Sequence, residues 1–176
     1  VKKHLNPGGV AVQWVPFYES TPDVVKSQLA TFFSIFPRGV IFANKGEGWN
    51  SDTVVFAEAD PQPIEPDPVQ QRLDSAEYGR VKESLAEVGF NSIVDLLATY
   101  IGRASDLENW LKDAQINTDR NLRLQYLAGM GSNFGQADAI YEDLLRQRRF
   151  PEDLFVASDE TKKMLREVLP RYDPGQ

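Results

Sequence analysis

Four prolines crowd one short stretch of this chain, at positions 61, 63, 66 and 68. Proline fixes φ and offers no backbone N–H, so a segment this dense is excluded from helix interiors and central strands. The sequence therefore predicts an extended connector over residues 61–74, with separate structure on each side of it. Residues 1–60 alternate runs of β-formers with one helical period. Residues 75–176 read as an all-helical extension.

On the first side, Asn6-Pro7-Gly8-Gly9 is a turn, and residues 10–15 form a strand of β-formers around Val10, Val12, Trp14 and Val15. Thr21-Pro22-Asp23 then supplies an N-cap, a proline at the first helical position and an acid in the first turn. Val25, Leu29, Phe32, Phe33 and Phe36 follow at spacings of three and four until Pro37 stops the helix. Residues 39–43 and 53–57 are the next strands, joined by a polar loop over 44–52. Strand, helix and strand pair together predict the tail of an α/β sheet, because the helix can cover one sheet face.

Past the connector, Ser75 starts a helix with Val81, Leu85 and Val88 on one face. Asn91 or Ser92 caps a second over residues 93–101, which Gly102 ends, and Ser105-Asp106-Leu107-Glu108 matches a capping box. Residues 122–127 fit either strand or helix. Residues 136–149 and 158–169 read as the last two helices.

Composition narrows the chemistry. With no cysteine, disulfides, thiolate zinc sites, iron–sulfur clusters and cysteine nucleophiles are all excluded. A single histidine, His4, excludes multi-histidine metal sites and argues against a serine–histidine triad, so no metal site is expected. The formal net charge of −7 argues against nucleic acid as a partner. The acidic excess falls mainly in residues 61–120 at helical spacings, as a solvated face would have it. No apolar run approaches the roughly 18–20 residues of a membrane span, so no direct membrane contact is expected of this piece.

Four residues stand out as candidates. Gln13 and Trp14 lie near the carboxyl end of the first strand, where open α/β sheets bind ligands; a core role for Gln13, satisfying a neighbouring backbone group, is the alternative. Trp49, flanked by Gly46 and Gly48, is either an aromatic lid or part of a plain hairpin connection. Asp119 closes Asn117-Thr118-Asp119, a triplet of cap and turn formers that can also carry a carboxylate over the ligand edge of the sheet. The glycines over 129–135 follow no strand and precede no Lys-Ser/Thr, which excludes a phosphate loop.

Asn6-Pro7-Gly8-Gly9-Val10 through Gln13-Trp14-Val15-Pro16-Phe17-Tyr18 resembles the late-strand segment of the spermidine/spermine synthase family, the polyamine aminopropyltransferases. The helix and strand pair follow in the family's order. Asn117-Thr118-Asp119 and Leu124-Gln125-Tyr126 resemble the Asn-Thr-Asp…Leu-Glu-Tyr signature of the branch often fused to a membrane domain. The likeness covers residues 1–127.

The resemblance implies the C-terminal portion of a Rossmann-like, methyltransferase-like sheet. It also implies aminopropyl transfer from decarboxylated S-adenosylmethionine to a diamine, in polyamine biosynthesis. Gln13 matches the family glutamine that lies against the amine. Trp49 is the nearest aromatic to the family's tyrosine-containing amine-site motif, which is not matched cleanly. The family's glycine-rich nucleoside loop, ribose-binding acid and catalytic aspartate all precede the segment that begins at Val1. The chain is thus expected to be a fragment of a longer protein, with no catalytic residue and no cofactor of its own; the decarboxylated S-adenosylmethionine belongs to the parent. The diamine is likewise the parent's partner, and the expected location is the cytoplasm or the cytoplasmic face of a membrane-anchored parent. An exposed first strand would allow homo-oligomerisation through its edge. The rival expectation is a non-catalytic helical interaction module carrying a remnant α/β piece. Gln13 separates the two: beside a cavity at a sheet edge it favours the enzyme, buried against helices the module.

Overall fold

A computed structural model describes residues 1–18, 20–45, 51–128 and 135–169. In chain order the elements are β1 (Val10–Trp14), α1 (Pro22–Ile35), β2 (Val40–Lys45), β3 (Ser51–Glu58), α2 (Pro66–Leu73), α3 (Gly79–Glu87) and α4 (Ile93–Leu97). They are followed by β4 (Tyr100–Arg103), α5 (Glu108–Leu111), α6 (Arg123–Ala128), α7 (Ala137–Gln147) and α8 (Asp159–Val168). The chain is a mixed α/β protein that divides into two compact units, residues 1–61 with 101–149, and residues 62–100 with 150–169.

The first unit is built on a four-stranded sheet in the order β1-β3-β2-β4. β3 runs antiparallel to both β1 and β2, with Gln13 opposite Val55 and Ile41 opposite Val55. β1 and β2 are therefore parallel to one another and joined through α1, while the return strand β3 lies between them. Thr21 caps α1 as its side chain accepts the Val24 amide, and Pro22 occupies the first turn. The helix face carrying Val25, Leu29, Phe32 and Phe33 packs into a core with Ile41, Ala43, Val55, Ala57, Ile140 and Leu144. Each such side chain contributes about 1.5–3 kcal/mol by leaving water.

The opposite face of the sheet is also apolar. Val10, Val12 and Trp14 of β1 stand on it, exposed, and the register sets Phe56 and Val54 of β3 beside Val12 and Trp14.

In the second unit, Ile64 bridges Phe155 in parallel, and Phe155 also meets the rings of Tyr100 and Phe150 edge-on. Ser92 and Asp95 form a reciprocal capping box at the start of α4.

Three expectations change. The proline-rich connector holds a helix: Pro66 and Pro68 sit in the first turn of α2, where the amides have no intrahelical acceptor and proline costs nothing. The extension beyond residue 75 is not all helical, because β4 joins the sheet next to β2. The helix expected to reach Ile101 ends at Leu97, and the chain then extends. Nor is the Ser105–Glu108 motif a capping box. Residues 104–106 make a 3-10 turn, and Leu107 takes the N-cap position of α5 without a side-chain hydrogen bond.

Candidate functional site

The carboxyl end of β1 is held firmly. Val15 and Phe17 are fully buried, the Val15 amide donates to the Thr53 carbonyl at 2.8 Å, and the Ser20 hydroxyl donates to the Pro16 carbonyl at 2.8 Å. This anchoring fixes the strand-to-helix passage that leads to Thr21 and the start of α1.

Gln13 and Trp14 occupy opposite faces there, as strand alternation requires. Gln13 is half-buried on the core face, in line with Ala11 and opposite Val55. Thr53 lies two residues along β3 from Val55 on that same face, and its hydroxyl is buried with no hydrogen-bond partner among the described residues. A buried hydroxyl left unpaired costs about 1–3 kcal/mol. An amide half in water and an unsatisfied hydroxyl thus mark one small polar spot at the end of an otherwise apolar face. Trp14, half-exposed, projects from the other face with the Tyr18 ring 5.8 Å away at 52°.

Trp49 lies outside the described residues. Asp119 is exposed, in the segment leading to α6. Its neighbours Asn117 and Thr118 do structural work: the Asn117 amide donates to Thr31 Oγ1 at 2.8 Å, and the Leu124 amide donates to Asn117 Oδ1 at 2.9 Å. Thr118 and Asn121 exchange amide-to-side-chain hydrogen bonds across the turn. Thr31 stands about 13 Å along α1 from Pro22, at a rise of ~1.5 Å per residue. The triplet is therefore tied to the far half of α1, whereas Gln13 and Trp14 lie on the strand leading into its start. Gln13 and Trp14 share one end of one strand; Asp119 is not brought to them by any hydrogen bond among the described residues.

No family model, curated protein or solved structure matches this chain. Its chemistry has to be read from the side chains.

Two clefts escaped the sequence reading. In the first unit a polar cleft of about 220 Å³ is lined by Asp23 and Lys26 of α1, by Asp113 and by Arg123. Lys26 bonds Asp113 at 2.7 Å, and its ammonium sits 5.3 Å over the Trp110 ring. That hydrogen bond holds the Asp113 carboxyl below the usual carboxylate range. In the second unit a groove of about 720 Å³ is floored by Ile93, Val94, Met164 and Val168. Two of its three acids are already engaged. Asp67 accepts from the Ser158 amide and the Thr161 hydroxyl, and Asp95 accepts from the Ser92 amide. No local signal could have found Lys26 and Asp113, which lie 87 positions apart.

Among the described residues no group of three or more His, Cys, Asp or Glu is placed to hold a metal ion. None of their helices is long and apolar enough to cross a membrane.

Proposed function

We propose that this chain is the C-terminal part of a spermidine-synthase-like transferase, carrying the amine-side end of the site without its nucleoside half. The observation that carries the reading is the end of β1. A parallel β1–β2 pair joined by a helix, with an antiparallel strand in the same sheet, is compatible with the terminal part of an open α/β sheet. Gln13, at the carboxyl end of β1, then sits where such sheets bind ligands, with the unpaired Thr53 hydroxyl on the same face. The apolar outer face of β1 also suits a sheet with further cover. In this reading Gln13 positions the diamine by a hydrogen bond, Trp14 and Tyr18 shape the outer wall, and the catalytic acids belong to the preceding part of the parent.

The test is an aminopropyl-transfer assay with decarboxylated S-adenosylmethionine and putrescine, read by release of methylthioadenosine. The 176-residue chain alone is expected to give no product above a blank. The polypeptide that continues the reading frame upstream of Val1 is expected to turn over, and Gln13→Ala in it should lower kcat/KM about tenfold, the worth of one buried hydrogen bond. Product from the isolated chain would overturn the claim that the nucleoside half lies elsewhere. A rival non-catalytic module has the second unit's groove in its favour, and an inert full-length protein would decide for it.

A further inference from the structure

We propose that the apolar groove between α2, α4 and α8 docks a basic amphipathic helix of a partner protein, whether or not the parent transfers aminopropyl groups. The groove lies wholly within the second unit and holds about 720 Å³, inside the roughly 300–1,000 Å³ of ordinary ligand sites. Ile93 and Val94 are buried beneath it. Met164 and Val168, one helical turn apart on α8, stay 40% and 39% exposed beside that floor. An open methionine adapts to irregular apolar partners, which suits a docking surface.

Charge specifies what the occupant carries. Asp67, Asp95 and Glu167 line the groove, and among the described residues no lysine, arginine or histidine does. Asp67 and Asp95 accept capping hydrogen bonds, which use lone pairs and leave the charge in place. A helix N-terminus carries about half a positive charge, so the starts of α4 and α8 do not offset three carboxylates. Glu167 decides the sign. It stands exposed in the last turn of α8, where a carboxylate opposes the helix dipole. Its neighbour Arg166 is committed to Glu152 at 2.6 Å, and Glu167 makes no ion pair among the described residues. Helix stability does not account for this acid; a basic partner does.

Shape specifies a helix. Every lining residue belongs to α2, α4 or α8 or caps one of them, so the groove offers no strand edge to an extended chain. The Ile93 amide already donates to Gln70 Oε1 at 2.8 Å, and the Ser158 amide to Asp67. A segment docking here has to satisfy its own backbone, as a helix does. Its apolar residues at i, i+3, i+4 and i+7 meet the floor, and its lysines or arginines meet the rim.

The experiment is a fluorescence-anisotropy titration of the 176-residue chain into a labelled helical peptide of leucine, alanine and lysine, with leucines at i, i+3, i+4 and i+7. Two control peptides carry glutamate in place of lysine, or serine in place of leucine. The leucine–lysine peptide should bind saturably, and each control at least about tenfold more weakly. Amide NMR shifts should fall on residues 67–71, 92–95 and 161–168. Glu167→Lys should weaken binding about fivefold with no loss in Tm. Met164→Gln, also at an exposed position, should weaken it about tenfold. Val12→Lys, on the apolar face of the first unit, should leave binding unchanged. The proposal is overturned by an absence of saturable binding, by a control peptide that binds as tightly, by shifts confined to the first unit, or by either groove variant binding unchanged.

Discussion

Single residues here carry loads that their neighbours in sequence do not disclose. Asp67 of α2 accepts from the Ser158 amide and from the Thr161 hydroxyl, so it caps α8 from a distant part of the chain. The Thr161 hydroxyl first, and the Ser158 amide second, hold its carboxyl below the ordinary value of 3.8. Because the folded value is depressed, these bonds stabilise the fold above about pH 4 and lose that contribution as pH falls through the folded value. Asp67→Asn should cost about 1 kcal/mol at pH 7, the typical worth of an N-terminal cap. Urea unfolding at pH 7 and again near pH 3 checks it: the gap between the two proteins should shrink at the lower pH, and a constant gap would refute the assignment.

Gly39 is the other residue whose identity matters for a physical reason. A Cβ there would lie 2.9 Å from the ring of Phe33 and 3.1 Å from that of Phe32, both buried. Neither ring can swing away from a packed core, so Gly39→Ala should destabilise by about 1–3 kcal/mol. A shift of the urea midpoint at unchanged slope would show it.

At the scale of elements, β1 is an uncharged edge strand of the sheet among the described residues. Its residues are Val10, Ala11, Val12, Gln13 and Trp14, with neither the lysine nor the proline that blunts natural edges. The isolated chain should therefore self-associate as its concentration rises, and Val12→Lys should reduce that association. Light scattering that finds a strict monomer at high concentration would contradict it.

The legible elements were those with strong local periods. The β-formers of β1, the capped and stopped apolar stripe of α1 and the two later strands of the first unit all read correctly from spacing. Four-residue β4 did not. It follows α4 without a clear break, and its stability comes from a partner strand far back in the chain, which no local pattern encodes. α2 was hidden by its own prolines, which break helices everywhere except in the first turn. The candidate site divides the same way. Gln13 was legible because position at a strand end is a local property. The Lys26, Asp113 and Arg123 cleft was not, because tertiary packing assembles it. Of the two readings of Asn117-Thr118-Asp119, the structural one is visible in the side chains of Asn117 and Thr118, which are spent on the Leu124 and Asn121 amides.

For the whole molecule, the proline stretch does not part a sheet half from a helical half. Residues 101–149 belong with the first sixty in one unit, and residues 62–100 belong with 150–169 in the other. The sheet-bearing unit holds Gln13, and by the proposed reading it is the unit that met the rest of the transferase. The decisive measurement is a calorimetric titration with methylthioadenosine on the 176-residue chain and on the polypeptide extended upstream of Val1. The account predicts saturable binding by the extended protein and none by the chain alone. Binding by the isolated chain, or no binding by the extended protein, would contradict it.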